Sequence, residues 1–206
     1  MSELEKMAAG QFYDSETPEL VQARVRVREA MLQFNACADS QERMAILRDV
    51  LGSIGQDSYV ETGLRLDYGF HVHIGRRCYL NFNVVMLDCA PIMIGDDVLI
   101  GPNVGMYPPV HPLVAAERVA RYDNAGRLYK IQYAKGIRIE DQVWIGGGVT
   151  INGGVTIGRG SVIGSGSVVT KDVPPGVFAA GNPCRVIRPI DPEKDSLLQA
   201  YFRQEG

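Results

Sequence analysis

Long apolar runs are missing from this 206-residue chain, although 46% of its residues are hydrophobic. No window of about 18 apolar residues is there to span a bilayer. The opening MSELEKMAAGQFYDSE lacks the basic-then-apolar layout of a secretory signal, so a cytoplasmic location is expected. Cysteine is scarce and scattered: Cys37, Cys78, Cys89 and Cys184 form no C-x-x-C pair, which speaks against a zinc knuckle or disulfide framework and for reduced thiols. Charge of one sign is lacking too. A net charge of -3 gives no reason to expect nucleic acid or an anionic membrane as partner. What remains fits one globular domain with a sizeable core and a smaller appendage.

The appendage comes first. From Thr17 to about Asn35 the pattern is helical: Thr17 can cap, Pro18 suits the first helical position, and Leu20, Val27, Met31 and Phe34 share a face. A second helix is predicted after Asp39, with Glu42 three residues on as in a capping box, Met44, Leu47 and Leu51 on one face, and Gly52 as the stop. Beyond Gly55 the helical period vanishes.

A six-residue beat replaces it. Counting in sixes from Ile139 lands on Ile145, Ile151, Ile157, Ile163 and Val169, and four residues after each comes Val143, Val149, Val155, Ser161, Ser167 and Val173. Ile94, Ile100 and Met106, and earlier Ile74, Leu80 and Met86, repeat the pattern. Between Met86 and Ile94 the phase slips by two, which predicts a bulged corner around DCAP. A period of six is neither 3.6 nor 2. It fits a solenoid in which each hexad gives a short strand and a turn, three hexads close a coil, and Gly, Asn and Asp take corners needing φ > 0.

Between Val110 and Ile137 the beat stops for HPLVAAERVARYDNAGRLYKIQYAKG. A solenoid tolerates such an insertion only as a loop thrown from one corner, and long loops on rigid scaffolds commonly carry function. His111, one of three histidines, stands at its base. Its imidazole is a candidate general base, or else it merely steadies the loop exit.

The hexads, the loop beginning HP, and the stretches DYGFHVHIG, NFNVVMLD, VWIGGGVTINGGVTIG and VVTKDVPPGVFAAGNPCRVI together resemble the maltose and galactoside O-acetyltransferases, including the nodulation acetyltransferases. KMAAGQFYDSETPELVQARVRVREAMLQFN is similar to their helical N-terminal segment, so the resemblance covers roughly residues 5–190. It implies an all-β solenoid, a left-handed parallel β-helix of hexapeptide repeats. A small α-helical segment is expected over 1–55, coils over 56–190 with the loop at 111–136, and a tail over 191–206. It further implies a homotrimer with sites between subunits, acetyl-CoA as co-substrate, and neither a permanently bound cofactor nor a metal. His111 would deprotonate a sugar hydroxyl for direct attack on the thioester, and a backbone N–H, that of Gly147, would steady the oxyanion.

On the acceptor side the resemblance implies Asp67, Asn81, Asp88 and Met106, with Asp14 and Arg24 from the N-terminal segment and Tyr68 and Phe70 as apolar walls. Asn and Asp supply paired donors and acceptors for hydroxyls. They are equally the natural corner residues, and Arg24 could lie on a solvated helix face. Cys89 stands where galactoside enzymes have a second aspartate, which favours a pocket like that of the maltose enzymes. On the donor side the implied residues are Trp144, Gly147, Ser165, Thr170 and Lys171 along the pantetheine arm, with Arg185 and Arg188 at the phosphates. Such basic residues can also form a solvated cap, and NPCR reads as a turn ending the β-helix.

Other functions are open to the same repeats. A zinc site like that of γ-class carbonic anhydrases could use His71, His73 and His111, yet the pair of histidines five apart around the loop is missing. A non-catalytic scaffold would need neither His111 nor the late arginines. An acetyltransferase for a non-sugar hydroxyl, of an antibiotic or serine, is the nearer alternative. The helical N-terminal segment speaks against it and the long loop after His111 for it.

Overall fold

A chain with an aliphatic residue at every sixth position buries those residues most economically by coiling, because each coil hides its face only against the next. The computed structural model, which describes residues 1–198 and 201, is such a solenoid, the left-handed parallel β-helix that the resemblance implies. Its three faces are parallel sheets. Face one stacks Ser53–Ile54, Val72–Ile74, Ile92–Ile94, Ile137–Ile139 and Thr156–Ile157. Face two stacks Tyr59–Val60, Tyr79–Leu80, Leu99–Ile100, Trp144–Ile145, Val162–Ile163 and Val177–Ala180. Face three stacks Arg65–Leu66, Val85–Met86, Gly105–Tyr107, Thr150–Asn152 and Val168–Val169. The inward column of face three, Leu66, Met86, Met106, Ile151 and Val169, is buried in one continuous core with the inward columns of the other two faces.

Corners follow the predicted chemistry. Asp57, Asn83, Asp97 and Asn103 hold φ between +58° and +61°, where a short polar side chain is tolerated. Arg77 and Gln142 take the same conformation, which the hexad pattern does not foretell.

The slip of two is present at DCAP and occurs once more in the preceding coil. Register partners Ile74 and Ile94 lie twenty residues apart, as do Leu66 and Met86, whereas Ile139 and Ile157 lie eighteen apart. The two extra residues sit each time in the corner leading from face three to the next face one, once before Ile74 and once in DCAP. The long insertion leaves from the same corner one coil later, so every irregularity of the solenoid is gathered on one edge.

Three helices precede the coils. α1 (Glu3–Ala8) is closed by a Ser2–Glu5 capping box. α2 (Pro18–Ala36) buries Leu20, Val27, Met31 and Phe34 as its period requires, and α3 (Ser40–Val50) buries Met44 and Leu47. Val27, Met31, Phe34, Met44, Leu47 and Leu51 join the solenoid core, so the two longer helices plug its first coils.

Three local expectations need correction. Thr17 occupies the N-cap of α2, but its hydroxyl makes no capping bond and is buried without a partner among the described residues. Asp39 caps α3 through Gln41 and Glu42 N–H, while the Glu42 carboxylate accepts from the Cys37 thiol instead of closing a box. Gly52 follows a Leu51 C-cap and serves close approach: a Cβ there would lie 2.4 Å from the Phe70 carbonyl oxygen.

The insertion is ordered by pairing. Ile131–Ala134 runs antiparallel to Pro109–Val110 on one side and to Tyr13–Asp14 of the N-terminal segment on the other. A hairpin of Arg121–Tyr122 and Leu128–Tyr129 projects beyond it, and Arg127 ties it back to Asp14 at 2.7 Å. NPCR does end the coils: Arg185–Pro189 turns back antiparallel on Val177–Ala180. Among the described residues no helix is long and apolar enough to cross a membrane. Of the tail after 190, residues 199, 200 and 202–206 lie outside the described residues.

The corner rule is testable at Asn103, an exposed residue at φ +59°. Asn103→Gly is expected to leave stability within about 0.5 kcal/mol of the parent, while Asn103→Val, forced into the left-handed region, lowers it by about 1–2 kcal/mol in urea unfolding.

Candidate active site

The two extra residues per coil widen one edge of the solenoid, and α2, the Tyr13–Asp14 strand and the inserted loop close over it. The resulting cleft, about 520 Å³, is lined by Tyr13, Ser15, Glu16, Val21, Arg24, Arg28, Asp67, Tyr68, Cys89, Pro109, His111 and Gln132. Of the residues expected to meet an acceptor, Asp67 and Arg24 come together here with His111, beside the expected wall residue Tyr68.

Their partners show how the site is held. Arg24 donates to the Ser15 carbonyl at 2.9 Å and to the Tyr68 hydroxyl at 2.7 Å, and lies 3.7 Å from Glu16. Asp67 is half-buried, and burial pushes its carboxyl above the usual range while Arg24 and Arg28 pull it back. Among the described residues the Asp67 carboxylate accepts no hydrogen bond and the Arg28 guanidinium makes none. Both groups are therefore available to a ligand. Burial pushes the Cys89 thiol up to about 12 and the Tyr13 phenol up as well, so both remain neutral walls. His111 is exposed at the loop base.

Asp88 and Met106 do not line the cleft. Met106 points into the coil, fully buried between Met86 and Ile151. Asp88 is also fully buried, and its Oδ1 accepts from the N–H of Asp67 at 3.0 Å and of Tyr68 at 2.9 Å, and its Oδ2 from that of His71 at 3.4 Å. Its carbonyl accepts from His71 Nδ1 at 2.9 Å. Asp88 fills the widened corner and fixes the segment that carries Asp67 and Tyr68. Asp14 is turned outward to Arg127, and its neighbour Ser15 lines the cleft in its place. Phe70 stacks edge-on to His71.

Asn81 lies elsewhere, at the corner between faces two and three. Gly147 and Ser165 share that corner, at the opposite ends of the face-three strands from His111. The Gly147 N–H has no acceptor among the described residues, and Trp144, on the strand just before, is 54% exposed. Thr170 and Lys171 sit on the His111 edge, above Asp67 in the same column: Leu66, Met86, Met106, Ile151 and Val169 are successive rungs of face three, about 4.8 Å apart. Arg188 is held bidentate by Asp195 at 2.6 and 2.8 Å, and Arg185 donates to the Cys184 carbonyl.

Sequence reading missed Tyr13, Gln132 and Arg28. Gln132 Nε2 donates to the Tyr13 hydroxyl at 2.7 Å across the strand pair, a contact between residues far apart in the chain. Arg28 was within reach, since it stands one helical turn after Arg24 on α2. As to metal, no group of three or more His, Cys, Asp or Glu among the described residues is placed to hold an ion. His71 serves Asp88, and His73 Nδ1 faces the Ser53 hydroxyl at 3.1 Å.

Comparison with known proteins gives three family models. The maltose acetyltransferase hexapeptide capping motif matches residues 6–55, the hexapeptide repeat of succinyl-transferase 91–111, and the bacterial transferase hexapeptide 136–171. The galactoside O-acetyltransferase of Escherichia coli is 40% identical over 201 residues, 97% of this chain and 93% of that one. The structure of a maltose O-acetyltransferase from Clostridium difficile superposes with a TM-score of 0.85 at 42% identity, covering 93% and 98% of the two chains. That of a hexapeptide-repeat acetyltransferase from Vibrio cholerae, complexed with acetyl coenzyme A, gives 0.83 at 41%, covering 93% and 100%.

Asp88 supplies the test of this geometry. Burial raises its carboxyl to about 6, so the folded state keeps a proton that the unfolded chain has already released. That contribution is complete below the ordinary carboxylate value and lost as pH rises through about 6. Asp88→Asn, which cannot ionise, is expected to flatten the fall in Tm across that window. Asp88→Leu leaves up to three backbone N–H groups unpaired and lowers the unfolding free energy by about 2–5 kcal/mol.

Proposed function

The chain belongs to the maltose and galactoside O-acetyltransferases, a family of hexapeptide-repeat enzymes, and from its being an acetyl-CoA-dependent acetyltransferase we propose that it acts in the cytoplasm on a sugar hydroxyl, with His111 as general base. The observation that carries this reading is the shared cleft: an exposed imidazole, an unpaired carboxylate at Asp67 and two guanidiniums at Arg24 and Arg28 line one cavity. Alternating acceptors and donors of this kind suit a polyhydroxyl ligand.

In the proposed step the acceptor oxygen gives its proton to the neutral ring of His111 and bonds to the thioester carbonyl carbon. The tetrahedral oxyanion takes a hydrogen bond from the free Gly147 N–H. Collapse breaks the carbon–sulfur bond, and the imidazolium returns the proton to the departing thiolate, leaving the acetyl ester, CoA and neutral His111. General-base help of this kind contributes typically about 10²–10⁴ in rate.

A homotrimer completes the site. Gly147, Ser165 and Asn81 lie across face three from His111, so a second copy that lays this corner against the His111 edge brings oxyanion donor and base together. Acetyl-CoA then runs between copies, along Thr170 and Lys171 of one and Trp144 and Ser165 of the other. Its phosphates reach Arg185 and Arg188, with Arg188 exchanging Asp195 for phosphate oxygen. Asp88 and Met106 act in this reading by shaping the coil under the acceptor.

Two measurements check it. His111→Ala is expected to lower sugar-dependent CoA release by 10²–10⁴ in kcat/KM with acetyl-CoA affinity kept; retention of activity removes His111 from the mechanism. Sedimentation is expected to give three chains per particle, and a fully active monomer would undo the shared site. CoA binding without release on any sugar would instead move the acceptor to a non-sugar hydroxyl.

A further inference from the structure

The strand Tyr13–Asp14 pairs with Ile131–Ala134, which pairs in turn with Pro109–Val110 just before His111. Tyr13 stands opposite Gln132, and Ala134, two residues on from Gln132, stands opposite Pro109. Alternation along a strand therefore puts Tyr13, Gln132 and Pro109 on one face of this small sheet, and all three line the cleft. Phe12 and Tyr133 meet edge to face on the other side, with ring centroids 5.2 Å apart. The sheet that leads to His111 thus also presents a phenol to the cleft.

That phenol is held in one direction. Gln132 Nε2 donates to its oxygen at 2.7 Å, which leaves the O–H to be given elsewhere. Tyr13 is only 3% exposed, and burial raises its phenol so that the proton stays on. A buried polar hydrogen is expected to find an acceptor. Among the described residues the group beside it is the Cys89 thiol, whose sulfur is a weak acceptor.

We infer that Tyr13 is a specificity-determining residue: its hydroxyl, aimed by Gln132, donates a hydrogen bond to one oxygen of the bound sugar. This rests on the sugar reading above. A sugar oxygen accepts more strongly than Sγ, so the phenol exchanges a weak partner for a good one when the acceptor is seated. A sugar lacking that oxygen leaves the buried O–H with the sulfur alone, and the site discriminates against it.

The test measures CoA release by the full-length enzyme with one sugar that it acetylates and with the monodeoxy analogues of that sugar. Tyr13→Phe is expected to raise the KM for the sugar about five- to tenfold, with the KM for acetyl-CoA and the pH profile of kcat unchanged. One deoxy analogue is expected to be weakened by a similar factor in the parent enzyme and to lose nothing more on Tyr13→Phe. Gln132→Glu replaces the amide by a carboxylate that only accepts, so the phenol turns its proton to it while the contact between the strands is kept. The sugar KM is then expected to rise as it does for Tyr13→Phe. A pair that serves only to join the strands would leave Gln132→Glu silent, which overturns the inference and leaves the sugar reading standing. So does an unchanged sugar KM in Tyr13→Phe, or a loss that falls equally on every deoxy analogue. No release from any sugar removes the sugar reading and this inference with it.

Discussion

The stacking of coils in strict register is the constraint on which everything else rests. A coil of two-residue strands has almost no core of its own, and its inward aliphatics are hidden only when each lies over its counterpart one coil away. Leu66, Met86, Met106, Ile151 and Val169 form such a column through all of face three. A column of this kind cannot absorb an inserted residue within a strand, because a one-residue shift would turn the aliphatics outward. Insertions must therefore collect at corners.

They collect at one corner, and that corner is the site. Two extra residues per coil at 67–71 and 87–91 open the edge, the long loop leaves it one coil higher, and α2 with Tyr13–Asp14 closes over it. A widened corner exposes backbone N–H groups to a dry interior, and the buried Asp88 carboxylate satisfies three of them at once. What looks in sequence like an irregularity in the beat is the place where a regular scaffold is interrupted to hold a ligand. The other two edges have no such widening, and the coil from Ile139 to Ile157 closes in eighteen residues.

Charge in the cleft is balanced and only partly spent. Arg24 is used structurally, on Ser15 and Tyr68, while Arg28 and Asp67 have no hydrogen-bond partner among the described residues. Burial alone would push the Asp67 carboxyl toward neutrality, and the two guanidiniums oppose it. The arrangement keeps an acceptor and a donor ready beside His111 without either being neutralised by a salt bridge. Among the described residues nothing comparable is assembled at the Gly147 corner of a single chain, which offers a free N–H and an exposed indole but no base.

The sequence by itself determined the solenoid, since a period of six over so many hexads has no other economical burial. It also determined the buried faces of α2 and α3, the kinds of residue that turn its corners, and His111 as the residue at the loop base. Only the tertiary structure decided which side chains face the cleft. Asp88 and Asp67 look alike in sequence, yet one is sealed under the corner by backbone N–H groups and the other is open. Met106 obeys the inward beat and is lost to the core, while Tyr13 and Gln132 meet because a loop strand pairs with the N-terminal segment. The difference is physical: periodicity reports which face of a repeating element is buried, whereas a site is made where the repeat is broken, and there position depends on contacts between distant residues.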